Sequence, residues 1–107
     1  MLKGIGGMGN ILKQAQKMQQ RLAEVQEELS QRVVEGAAGG GIVRVAASGA
    51  QEVLSVKIDP EAVDPDEVEL LEDMVLAAVS QALEKSRQLA QEEMAKVTGG
   101  LKLPGLM

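Results

Sequence analysis

Between residues 10 and 32, apolar side chains fall at Ile11, Ala15, Met18, Leu22, Val25 and Leu29, a spacing of 4, 3, 4, 3, 4. That period of 3.5 marks a coiled-coil seam, narrower than the stripe of an ordinary core helix. It predicts a helix from an N-cap at Asn10 to about Ser30. Before it, Met1 to Gly9 carries four glycines and reads as a flexible arm. After it the period changes from helical to two. Arg32–Ala37, Ile42–Ala47 and Val53–Ile58 read as three short strands, joined by Gly39-Gly40-Gly41 and by Ser48-Gly49-Ala50. The last strand alternates, with Leu54, Val56 and Ile58 on one face and Val53, Ser55 and Lys57 on the other. Short glycine-bearing connections make the three an antiparallel meander.

Asp64-Pro65-Asp66-Glu67 then starts a second helix, with Asp64 as cap, proline at the first helical position and Glu67 placed to close a capping box. This helix should run to about Val97 and stop at Gly99-Gly100. Val68, Leu70, Leu71, Met74, Val75, Leu76 and Val79 make its first half apolar around much of its circumference, as packing on the sheet requires. Its second half thins to Leu83, Ala90, Met94 and Val97, again close to heptad spacing. Each helix thus carries a seam longer than a three-stranded sheet can cover, and an interface between chains is the preferred reading over ordinary core or a chaperone-like grip. The fold class is α+β in a domain spanning 10–98, preceded by the arm at 1–9 and followed by a tail at 99–107.

Composition removes most chemistry. The 107 residues include no Cys and no His, so the parts for zinc sites, thiol chemistry and Ser/His or Cys/His nucleophiles are missing. The absence of Cys fits a reducing, cytoplasmic setting. No Phe, Tyr or Trp is present either. That removes the stacking platforms used for single-stranded nucleic acids, and it leaves a core of small side chains for which dimerisation is a natural remedy. No long apolar run suggests a signal peptide or membrane span. Gly4-Ile5-Gly6-Gly7-Met8-Gly9 matches G-x-G-x-x-G, but no strand precedes it, so it is not a dinucleotide fingerprint. No enzyme, cofactor, metal or small-molecule substrate is expected.

The formal net charge of −5 is unevenly spread. Residues 1–34 carry a net +2, residues 59–73 hold eight acids and no base, and residues 80–102 carry +1. The acidic run lacks the glycine and the spacing of an EF-hand loop, so it is read as capping and solvated surface. Lys13, Lys17 and Arg21, spaced i, i+4, i+8, share one helical face. A solvated face is the default reading of that row. Contact with DNA phosphates is the functional one, and a dimer would double the number addressed.

Five segments stand out in order: Gly7-Met8-Gly9-Asn10-Ile11-Leu12-Lys13-Gln14-Ala15-Gln16-Lys17-Met18-Gln19, the Gly39-Gly40-Gly41 turn, Val56-Lys57-Ile58-Asp59-Pro60, Leu71-Glu72-Asp73-Met74-Val75-Leu76-Ala77-Ala78, and Thr98-Gly99-Gly100-Leu101-Lys102-Leu103-Pro104-Gly105-Leu106. Together they resemble the YbaB/EbfC family of bacterial nucleoid-associated proteins. The motifs keep their order from end to end. The resemblance implies a tweezer-like homodimer with a shared core of sheets and helix bases, projecting helical arms and a partner in double-stranded DNA. It further implies a place in the nucleoid and an effect on gene expression. It points to the projecting helices, hence to Lys13, Lys17, Arg21, Arg87 and Lys96 as DNA-contacting residues. Val79-Ser80-Gln81-Ala82 departs from the Asn-Asp expected there, which alters a local polar network. The alternative function is a protein-interaction module of replication or recombination machinery, touching DNA only incidentally.

Overall fold

The computed structural model describes the backbone of residues 2–99 and the side chains of residues 8–99. Helix α1 spans Leu2–Gln31. It begins well before the expected cap, so Asn10 lies inside it and the segment assigned to an arm is helical from residue 2 onward. No proline interrupts residues 2–31, and once a helix is nucleated each further residue adds a hydrogen bond. Each of its four glycines remains roughly 1 kcal/mol inferior to alanine there. The helix ends where Arg32 N donates to Leu29 O at 3.1 Å.

Three strands follow: β1 (Val33–Ala38), β2 (Val43–Ser48) and β3 (Val53–Ile58). They form an antiparallel meander in the order β1-β2-β3. β1 and β2 each lie one residue beyond the expected bounds, and β3 matches them. Gly39, Gly40 and Gly41 all have positive φ (64°, 70° and 103°), the left-handed backbone that makes glycine necessary in this turn. The second turn is stitched by serines. Ser48 Oγ accepts from Ala50 N and Glu52 N, while buried Ser86 donates to Ser48 O at 2.7 Å and accepts from Gln51 N at 3.0 Å. Those bonds hold Gln51 at φ 65°.

The acidic stretch forms two 3-10 turns, Pro60–Ala62 and Pro65–Glu67, and leads into α2 (Val68–Gly99). Asp59 Oδ1 accepts from Glu61 N at 3.0 Å and Asp64 Oδ1 from Asp66 N at 2.9 Å. Asp64 is thus a cap, as expected, but of a 3-10 turn. Glu67 donates its backbone N–H to Asp64 O, and no side-chain bond from Glu67 closes a capping box among the described residues. α2 continues two residues past Val97 to Gly99; Gly100 and the rest of the expected tail lie outside the described residues.

The core is thin. Val43, Val45 and Ala47 of the central strand meet Ala78 and Ala82 of α2, flanked by half-buried Val34, Ala38, Ile42, Leu71, Met74, Val75, Val79 and Leu83. Small residues let α2 lie close against the sheet. A Cβ on Gly36 would stand 2.3 Å from Ala78 O and 2.6 Å from Ala82 N. Because α2 covers β1 and β2, every residue of β3 stays exposed. The alternation of β3 is also broken. Ala46 pairs with Ser55 but Ala47 pairs with Val53, so a bulge skips Leu54 and sets Val53, not Leu54, in the row of Val56 and Ile58.

The two seams partly meet within the chain. Half-buried Met18, Leu22 and Val25 and buried Leu29 belong to the stretch of α1 that packs on α2, where Ala90 and Met94 are half-buried and Val97 buried. An interface between chains is therefore not needed for those positions. The rest of the α1 seam, Ile11 and Ala15, is uncovered, with Ile11 66% exposed, as is Met8 one turn before it. The radius of gyration is 21.3 Å and the longest extent 78 Å, where a compact domain of this length would have a radius near 13 Å. The chain has an arm.

Candidate nucleic-acid interface

The arm is the part of α1 that runs beyond its contact with α2, and it carries the first two basic candidates. With a rise of about 1.5 Å per residue, Lys13, Lys17 and Arg21 mark out about 12 Å of helix along one face. All three are exposed, and no acid lies within 4 Å of their charged nitrogens among the described residues. Lys13 and Lys17 stand on open helix. Arg21 sits where α1 meets α2, in a surface hollow shared with Glu24, Glu28, Glu93 and Lys96.

The other two candidates are placed differently. Arg87 pairs with Glu84 one turn back on α2, and Lys96 donates to Glu93 Oε1 at 3.2 Å. Arg32 donates to the same Glu93 oxygen at 3.0 Å, tying the end of α1 to the distal half of α2. Arg87 and Lys96 are thus largely neutralised by acids of their own helix. Exposed pairs of this kind are worth less than about 1 kcal/mol, so an arriving phosphate competes with them at little cost. The structure brings Arg21 and Lys96 together, keeps Lys13 and Lys17 further out along the same arm, and leaves Arg87 apart.

Glu93 is the acid that organises this junction. The Lys96 ammonium donating to it holds its carboxyl below the ordinary value of 4.5, Arg32 adds to the effect, and partial desolvation opposes it. A carboxylate with a depressed folded value contributes stability that is fully present above its unfolded value and is lost as pH falls through the folded one. Glu93→Gln is therefore expected to lower the melting temperature at pH 7 and to narrow its gap from the unsubstituted chain below pH 4.5. Melting curves from pH 3 to pH 7 check this, and a gap independent of pH would contradict it.

Three bases outside the helical arms emerge only with the strands in register. Arg44 of β2 stands opposite Lys57 of β3, and Lys85 of α2 reaches across to donate to Glu35 O at 2.8 Å. Like charges directly opposite on neighbouring strands repel, so the Arg44–Lys57 pair is a local cost on an open face. Alternation within each strand does not set its register with the other, so the pair carries no signal in the sequence, and neither does the reach of Lys85. Gln81, in the segment that departs from the expected Asn-Asp, does join a polar network, because its Oε1 accepts from Ala37 N at 2.7 Å. Among the described residues no group of three or more acids is arranged to hold a metal ion, and no helix is long and apolar enough to cross a membrane.

Comparison with known proteins gives this arrangement a family. A nucleoid-associated protein of Moorella thermoacetica is 54% identical over 102 residues, covering 95% of this chain and 98% of its own length. One from Desulforamulus reducens is 55% identical over 101 residues, covering 94% and 96%. Among solved structures, the fold is similar to that of an uncharacterized Helicobacter pylori protein, HP0035. The TM-score is 0.63 at 17% identity, over 73% of this chain and 90% of that one. The model of the YbaB/EbfC DNA-binding family matches residues 4–101. With the helix, three-stranded meander and long helix that the sequence led one to expect, the chain belongs to the YbaB/EbfC DNA-binding family.

Proposed function

We propose that this chain is a non-enzymatic, homodimeric nucleoid-associated protein that binds double-stranded DNA through phosphate contacts from its helical arms. The observation that carries the reading is the row Lys13, Lys17 and Arg21 on a projecting helix, free of acidic partners within ion-pair distance among the described residues. Membership of a DNA-binding family supports it, as do the nucleoid-associated relatives. Long side chains on a smooth helix face suit phosphates rather than base edges, so sequence preference is weak. The chain carries neither His nor Cys, and no nucleophile–base pair can be assembled from what it has. Organisation of the nucleoid, with effects on gene expression, follows from binding that coats DNA without reading it.

A gel shift with labelled duplex at low salt tests the reading. A retarded band that unlabelled duplex of unrelated sequence competes away is expected; no band, together with capture of a stoichiometric protein partner, would favour an interaction module instead.

The dimer is supported by what the single chain leaves uncovered. Val56 is 45% and Ile58 37% exposed on β3, and Leu70 and Leu76 of α2 are exposed as well. Apolar area of this extent on a thin core favours a second copy over water. Val56→Asp places a charge where that copy would sit, and burying an unpaired carboxylate costs several kcal/mol. Light scattering should show the particle mass halved; an unchanged mass would remove β3 from the interface.

A further inference from the structure

The edge of β1 that does not face β2 borders a cavity of about 480 Å³, and hydrogen-bond donors gather there. Three elements supply them: Arg44 from β2, Gln81 and Lys85 from α2, and the backbone of Gly40 and Gly41 from the turn. Each side chain is held by one contact and has donors to spare. The Arg44 guanidinium lies against Gly41, so close that a Cβ there would stand 3.3 Å from Nη2, and it makes no ion pair among the described residues. Gln81 uses its oxygen to accept from Ala37 N, which leaves both N–H groups of its amide for another partner. Lys85 uses one ammonium proton on Glu35 O and keeps two. Glu35 also lines the cavity, within ion-pair distance of neither base. Lys57, in register with Arg44, adds a further positive charge beside it.

We propose that this cavity is a phosphate-binding subsite, in which Arg44, Gln81 and Lys85 hold the oxygens of one phosphate group. A planar guanidinium fork from β2, with an amide and an ammonium from α2, suits an oxyanion with several oxygens. The residues that hold the donors in place also explain why they sit idle. Gln81 and Lys85 cap the open edge of β1, and Arg44 is folded onto a turn that only glycine can form. Two sources supply such a group: the DNA backbone, which rests on the DNA-binding reading above, and a small phosphorylated molecule, which does not.

The test uses the full-length, ¹⁵N-labelled protein and follows the Arg44 Nε–Hε and Gln81 side-chain amide resonances. Inorganic phosphate should shift both saturably, and Arg44→Gln should weaken that response at least tenfold while leaving the melting temperature unchanged. Duplex DNA should displace the phosphate. The pair Arg44→Gln and Lys85→Gln should flatten the slope of log K against log salt by about 2 for a dimer, one phosphate per chain at roughly 0.9 each. If phosphate binds at these residues while duplex neither displaces it nor loses slope in the double variant, the site stands and its occupant is a small phosphorylated molecule. If neither phosphate nor duplex shifts the two resonances, the proposal is overturned. A wild-type protein that binds no DNA would sink the DNA reading alone, since the phosphate titration still reports on this site.

Discussion

Replacing Lys13, Lys17 and Arg21 together by Glu is expected to abolish duplex binding, by at least about a thousandfold in affinity at low salt, while the dimer survives. In a dimer the row presents six positive charges, and the substitution turns each into a repulsive one. Phosphate neutralisation supplies nearly all sequence-independent affinity for DNA, and an acidic chain with a formal net charge of −5 has little else to offer it. The fold should tolerate the change. All three positions are exposed on α1, and Glu forms helix about as well as Lys and Arg. Arg21→Glu does bring an acid within one turn of Glu24, a repulsion of a few tenths of a kcal/mol. Fluorescence anisotropy with labelled duplex measures the loss, and circular dichroism with light scattering checks that helix and dimer remain. Binding that persists unchanged would show that this row is not the contact.

The largest expected effect on stability comes from Gly36→Ala. The added methyl would meet Ala78 O at 2.3 Å and Ala82 N at 2.6 Å, and both are backbone atoms of α2. No side chain can rotate away. The helix must lift from the sheet, over the same Ala78 and Ala82 that form the core with Val43, Val45 and Ala47. Overpacking in a close-packed core costs typically 1–3 kcal/mol, and more where the backbone must move. At about 4–8 °C per kcal/mol for a domain of this size, the melting temperature should fall by more than about 10 °C at equal protomer concentration. Gly40→Ala is the control. Nothing lies within 4 Å of a Cβ there, so only its φ of 70° is penalised, at roughly 1–2 kcal/mol. Equal losses at the two positions would mean that close helix–sheet approach is not what Gly36 provides.

Much of this architecture was legible in the order of apolar and polar residues. The period of 3.5 in α1, the period of two in β3 and the glycine turns specified helix, meander and helix with strand bounds off by at most one residue. The errors have physical causes. The start of α1 differs because a glycine-rich composition argues against helix locally, whereas extending a helix already formed avoids the cost of nucleation. The bulge at Leu54 was invisible because alternation along one strand says nothing about its register with the next. That β3 lies uncovered follows from where α2 crosses the sheet, which a single strand's pattern does not contain.

The candidate site divides in the same way. Lys13, Lys17 and Arg21 share a face by spacing alone, so their row could be read directly from the chain. The resemblance points to Arg87 and Lys96 as bases of a projecting helix, but their nearest acids, Glu84 and Glu93, sit one turn away and engage them. Arg44 and Lys85 are 41 positions apart in the sequence, and no local pattern links them. Only the fold of α2 across β1 brings both to one cavity.

The central claim is that the arms hold DNA by its phosphates, and the salt dependence of wild-type binding tests it most directly. Anisotropy titrations of a labelled duplex between about 50 and 200 mM salt should give a slope of log K against log salt of about −5 or steeper, since the arms alone address six phosphates at roughly 0.9 each, with affinity falling at least about a thousandfold across that range. A slope near zero, or no binding at the lowest salt, would contradict it.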